Sequence, residues 1–125
     1  MAEAEPLVSV VDDDDSVGHS LKLLIEFSGY RVITFKSAEE FLDAGFRESP
    51  CCLTLDVHLP GVSGFKLQEE LLKSATRIPV IFITGHDCNR MGEEAMRLGA
   101  AAYLRKPFDE QCLLDAIHSL ARKGI

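Results

Sequence analysis

Leu7-Val-Ser-Val-Val11-Asp12-Asp13-Asp14-Asp15 is the stretch that decides how the rest of the chain is read. Five mainly apolar, β-branched residues stop abruptly at four carboxylates. A run this short and this apolar reads as a strand buried on both faces, and such strands belong to parallel sheets with helices on each side. Val17, Leu21, Leu24 and Ile25 then recur at helical spacing up to Gly29, a residue suited to the position just past a helix end. The stretch therefore predicts strand, acidic rim, helix, with Asp14 or Asp15 near the N-terminus of that helix.

The same alternation continues to the end of the chain. Strands are expected at Arg31–Phe35, Cys51–Leu55, Pro79–Ile83 and Ala101–Leu104. A helix should begin after Ser37 with Ala38, Phe41 and Leu42 on its buried face. A third helix carrying Leu67 and Leu71 should leave the loop His58-Leu-Pro-Gly-Val-Ser-Gly64 and run to about Ser74. Met91, Ala95 and Leu98 mark a fourth helix before Gly99, and Leu113, Ala116, Ile117 and Leu120 a fifth from about Asp109 to Lys123. Five strands alternating with five helices predict an α/β doubly wound fold with a parallel five-stranded sheet. With no repeat, linker or low-complexity segment, one domain is expected over residues 5–123, with residues 1–4 a disordered tail.

The composition agrees. A chain of 125 residues that is 46% hydrophobic and 26% charged is sized for one soluble domain. Its core needs no disulfide or structural metal. The formal charge of −7 opposes the phosphate neutralisation on which nucleic-acid affinity rests, so this domain alone is not expected to bind nucleic acid. Cys51, Cys52, Cys88 and Cys112 lack zinc or redox spacing and read as reduced thiols. No apolar run approaches a membrane span, and the expected location is the cytoplasm.

In doubly wound sheets the ligand site lies outside the carboxyl ends of the strands, at the crevice where strand order reverses. Asp12 and Asp13 follow the first strand, Asp56 the third, Thr84 the fourth, and Lys106 the fifth. Taken singly, each has a plainer reading: a helix-starting acid, a turn cap, a turn hydroxyl, a surface charge. Their convergence on one rim does not. Neighbouring carboxylates repel, and a hard divalent cation is the economical relief. An all-oxygen donor set with few protein ligands suits Mg²⁺, which keeps waters and shares its shell with a phosphoryl group. A hydroxyl and an ammonium beside it complete what phosphoryl transfer requires.

Val11-Asp-Asp13, Leu55-Asp56 followed by Leu59-Pro60 and Gly64, Phe82-Ile-Thr-Gly85 and Leu104-Arg-Lys-Pro-Phe108 together resemble the motif set of response-regulator receiver domains of two-component signalling. The resemblance spans nearly the whole chain. It implies the (βα)5 three-layer fold with strand order 2-1-3-4-5, and a phosphoacceptor rather than an enzyme. Asp56 would take a phosphoryl group from a histidine kinase or phosphotransfer protein. Asp13 would ligate Mg²⁺ directly, with Mn²⁺ able to substitute, Asp12 mainly through water, and His58 through its backbone carbonyl. Lys106 would pair with a phosphoryl oxygen, and its bond to Pro107 would be cis. Thr84 and Tyr103 would form the switch, acting on a face made of the fourth helix, fifth strand and fifth helix that binds an output domain or target and permits a phosphorylation-dependent homodimer. His58 and His86 would stand at the mouth of the site and tune phosphoryl lifetime. The Thr84-Gly-His86 and Lys106-Pro-Phe108 segments further resemble receivers that precede LuxR-type helix-turn-helix output domains.

The rival readings fit less well. An aspartyl-phosphate hydrolase of the haloacid-dehalogenase type needs an acid two residues after the nucleophile, where this chain has His58. A flavin binder would set four aspartates against the flavin phosphate. A calcium loop starting at Asp12 lacks glycine at its sixth position, which is Val17, and glutamate at its twelfth, Leu23. A receiver used only for docking would not need the complete acid, hydroxyl and lysine set.

Overall fold

The computed structural model describes residues 6–44, 50–74, 77–85 and 90–123. The expected tail at residues 1–4, together with His86 and Cys88, lies outside them. Five strands, β1 (Leu7–Val11), β2 (Arg31–Phe35), β3 (Cys52–Asp56), β4 (Val80–Thr84) and β5 (Ala102–Arg105), alternate with five helices. The helices are α1 (Asp15–Phe27), α2 (Ala38–Ala44), α3 (Gly64–Lys73), α4 (Met91–Arg97) and α5 (Glu110–Lys123). All strand pairs are parallel, in the order β2-β1-β3-β4-β5.

The alternation of side chains along the central strands builds two cores. Val11, Leu53, Leu55, Val80 and Phe82 face one side, where Phe41, Leu67, Leu71 and Ala95 of α2, α3 and α4 cover them. Val8, Val10, Cys52, Ile81 and Ile83 face the other, beneath Leu21 and Ile25 of α1 and Leu113 and Ile117 of α5. Burial on both faces is why β1 and β4 read as unbroken apolar runs. The outer strand β2 is partly open, with Ile33 47% exposed.

Three strands sit one residue later than the apolar runs predict. Cys51 donates its amide to the Leu7 carbonyl and Ala101 to that of Val80, but both stand before the ladders begin. At the other end the ladders extend to include Asp56, Thr84 and Arg105. The shift has a consequence for chemistry, because Asp56 and Thr84 are held by the sheet and not by loops. On α2, Ala38 and Phe41 are buried as expected, whereas Leu42 is exposed. That helix is short and leans on the sheet edge with one narrow stripe.

Helix ends follow their sequence signals. Asp14 caps α1, its side chain accepting the Ser16 and Val17 amides at 2.9 and 3.3 Å. Gly29, after the C-terminal Ser28, has φ 100°, the left-handed turn that ends the helix. Gly64 answers a different need: a Cβ there would lie 2.3 Å from the Asp56 carbonyl oxygen, so only glycine lets α3 start against the end of β3.

Candidate functional site

The strand order reverses between β1 and β3, and their carboxyl ends carry the acids. Ligand oxygens of Asp12, Asp13 and Asp56 all lie within 4.8 Å of one another. The three differ in environment. Asp12 is buried, Asp56 half-buried and Asp13 exposed. Asp14 and Asp15 stand outside the cluster, one capping α1 and the other 3.4 Å from the Lys36 ammonium.

Each inner carboxylate is held by a backbone amide two residues on. Asp12 Oδ1 accepts from the Asp14 N–H and Asp56 Oδ1 from the His58 N–H, both at 2.9 Å. These turns fix one oxygen of each group. The Lys106 ammonium approaches Asp12 Oδ2 at 3.6 Å, reaching from beyond β5 across two intervening strands to β1. Its amide donates to the Thr84 carbonyl at 2.8 Å, which ties the start of the Lys106–Pro107 turn to the end of β4. The Lys106–Pro107 peptide bond is cis.

The carboxyls of Asp12 and Asp56 both hold their protons above the usual carboxylate range. Burial is the main cause in each case. For Asp12 the Asp14 amide and the Lys106 charge oppose it, while Asp13 adds to it. For Asp56 the His58 amide opposes it and the Asp12 charge adds to it. Such a pocket favours any cation that enters. Three carboxylates with converging oxygens, two of them short of positive charge, fit a hard divalent ion with oxygen ligands.

Thr84 is fully buried at the end of β4, and Tyr103 is half-buried on β5 opposite Phe82. Together with Gly85, Lys106 and Pro107 they line one hollow beside the acid cluster. The Tyr103 ring packs toward α4, where a Cβ at Gly92 would meet it at 3.6 Å. His58 is exposed in the loop after β3. The structure thus gathers Asp12, Asp13, Asp56 and Lys106 around one pocket with Thr84 next to it and Tyr103 behind, while His86 lies outside the described residues. Sequence reasoning named Gly64 within the motif set but gave no role to its missing side chain, which lets α3 start against the Asp56 carbonyl. A glycine at the junction of loop and helix does not by itself announce so close an approach of backbone to backbone.

Comparison with known proteins agrees with this geometry. The response regulator receiver domain profile matches residues 8–118. The transcriptional regulatory protein FixJ of Azorhizobium caulinodans is 44% identical over 99% of this chain, which covers 59% of that protein. Nodulation protein W of Bradyrhizobium diazoefficiens is 45% identical over 93% of the chain, covering 51% of that relative. The chain thus spans little more than half the length of the curated relatives it matches. Among solved structures, the response regulator StyR superposes with a TM-score of 0.85 at 45% identity, over 93% of this chain and 59% of that one. FixJ-N superposes with a TM-score of 0.85 at 33% identity, over 98% and 96%. Strand order, acid pocket, lysine and matched sequence converge, and the chain belongs to the response-regulator receiver family of two-component signalling.

Proposed function

We propose that Asp56 is the phosphoacceptor, taking a phosphoryl group from the phosphohistidine of a sensor kinase or phosphotransfer protein. The observation that carries this reading is the Asp56 carboxylate fixed at the end of β3, one oxygen on the His58 amide, beside two further acids and the Lys106 ammonium. An Asp56 oxygen attacks phosphorus, the phosphorus–nitrogen bond to the donor imidazole breaks, and an acyl phosphate remains. Lys106 and the Thr84 hydroxyl take up the charge of the phosphoryl oxygens. Asp13, Asp56 and the His58 carbonyl would hold Mg²⁺, or Mn²⁺ in its place, with Asp12 acting mainly through water. When bound, the ion neutralises the acid cluster and draws in the phosphoryl oxygens.

The domain, residues 5–123, catalyses its own phosphorylation and slow dephosphorylation and is otherwise a signalling module. Phosphorylation draws Thr84 toward the phosphoryl group and Tyr103 inward, shifting a two-state equilibrium on the α4, β5 and α5 face. An output domain or partner reads that face, a second copy of the chain among the candidates. The names of FixJ and its kin support a transcriptional output. Among the described residues no helix is long and apolar enough to cross a membrane, which supports a cytoplasmic site of action.

Intact mass after incubation with acetyl phosphate and Mg²⁺ tests the assignment. One added phosphoryl group is expected on the wild type and none on a folded Asp56→Asn variant. Stoichiometric labelling of that variant would overturn it.

A further inference from the structure

Of the seven residues of α4, only Ala95 is buried. So thin a grip leaves the placing of this helix to its two ends, and they differ. Among the described residues no side-chain hydrogen bond caps its start at Arg90, and in its first turn the Tyr103 ring lies against Gly92. The far end is closed. Leu98, Gly99 and Ala100 donate their amides to the Glu94, Met96 and Ala95 carbonyls, and the Ala101 amide donates to the Val80 carbonyl of β4 at 2.8 Å. Helix ends also leave carbonyls without amide partners, and a buried one cannot turn to water. The Leu98 carbonyl is such a group: Leu98 is buried, and no backbone amide of the described residues reaches its oxygen. The Gln68 side-chain amide, itself buried on α3, donates to it at 2.9 Å. α3 is also the helix whose start is seated on the Asp56 carbonyl through Gly64, one turn before Gln68. Gln68 thus ties the end of α4, and the turn into β5, to an element resting on the Asp56 backbone.

We propose, resting on the reading of Asp56 as phosphoacceptor, that Gln68 is a positioning residue that pins the C-terminal end of α4 to α3 and makes that end the pivot about which α4 swings when the receiver switches. With the far end held, the movement of Thr84 and Tyr103 is taken up by the uncapped first turn. The face made of α4, β5 and α5 then changes at one edge and keeps the other. Without the Gln68 amide a buried acceptor is stranded at Leu98, the last turn opens more readily, and the displacement spreads along the whole helix.

Amide hydrogen exchange, read residue by residue by NMR in the full chain with Mg²⁺, with and without the phosphoryl analogue beryllofluoride, tests the pivot. In the wild type, beryllofluoride should change exchange in residues 91–94 and leave residues 98–101 unaltered. Gln68→Leu keeps the bulk and removes the donor. Without the analogue it should speed exchange of residues 98–101 at least about tenfold and leave residues 21–25 of α1 unchanged. With the analogue, its response should extend to the far end of α4. Gln68→Glu should regain protection as pH falls, because only the protonated carboxyl can donate to the Leu98 carbonyl. Labelling of Asp56 by acetyl phosphate should persist in both variants, since Gln68 stands outside the acid pocket. The proposal is overturned by far-end amides that respond to beryllofluoride as strongly as the first turn in the wild type. It is equally overturned if Gln68→Leu leaves their exchange unchanged, or speeds it only in step with α1. A wild type that takes no phosphoryl group would instead overturn the reading of Asp56, and the comparison of Gln68→Leu with wild type in the absence of the analogue would still judge the pin.

Discussion

Gly64→Ala sets two effects of opposite sign against each other. Helix propensity favours alanine inside a helix by up to about 1 kcal/mol. Against that, the new Cβ would stand 2.3 Å from the Asp56 carbonyl oxygen, 3.0 Å from the Val57 Cα and 3.1 Å from the Asp56 carbonyl carbon. All three are backbone atoms of β3 and its exit, which a rotamer change cannot move. Carbon contacts settle at about 3.5 Å, so the first turn of α3 must retreat by roughly 1 Å. Because the clash is with backbone, the overpacking cost falls at the upper end of the usual range, about 3 kcal/mol, leaving a net loss near 2 kcal/mol after the propensity gain. For a domain of this size that lowers Tm by roughly 6–10 °C. Calorimetry of the metal-free protein reads it directly, and acetyl phosphate labelling should slow in parallel because the retreat disturbs the Asp56 backbone. Gly61→Ala is the control: its Cβ would meet the movable Glu39 carboxylate at 2.8 Å, so its cost is mainly that of φ 76° and should be smaller. A Gly64→Ala protein that melts at or above the wild-type temperature would refute the steric argument.

Further outcomes follow from the pocket and its supports. Asp12 and Asp56 bind protons more tightly folded than at their unfolded value of 3.8, so their contribution to stability falls as pH rises above that value and returns on acidification. Metal-free wild type should therefore lose Tm relative to Asp56→Asn between about pH 4 and 7, and millimolar Mg²⁺ should restore it; parallel profiles would deny the burial effect. Asp14→Ala removes the side chain that caps α1 at Ser16 and Val17 and should cost about 1 kcal/mol without changing the extent of phosphorylation. Replacing His58 and His86 together with Ala should alter the half-life of phosphorylated Asp56 by about threefold or more, a barrier change near 0.7 kcal/mol, with acceptance preserved. Equal decay rates at saturating Mg²⁺ would show that the two rings do not gate water.

The architecture was legible in the sequence because parallel strands buried on both faces leave a simple trace, short apolar runs ended by a polar residue. Asp12, Asp56 and Thr84 were found by that trace. Strand limits were less legible: Asp56 and Thr84 look like loop residues by polarity, yet ladder bonds with β4 and β5 include them. Leu42 was misplaced because a helix at a sheet edge buries a narrower stripe than apolar spacing suggests. The run of four aspartates hid four different fates, set by which of them the strand, the pocket, the cap and Lys36 claim. Gln68 was invisible as well. It sits buried on α3 and donates its side-chain amide to the Leu98 carbonyl at the end of α4, a contact of tertiary origin that no local pattern announces.

The reach of Lys106 to Asp12 joins residues near opposite ends of the chain. β1 emerges first during synthesis, but its acids meet their ammonium only when β5, the outermost strand, has docked on β4. Until then the acid cluster lacks its ammonium, the group proposed to steady an incoming phosphoryl group. On the proposed function, competence to accept a phosphoryl group therefore arrives with the completion of the sheet, and a chain whose β5 has not docked should fail to label with acetyl phosphate.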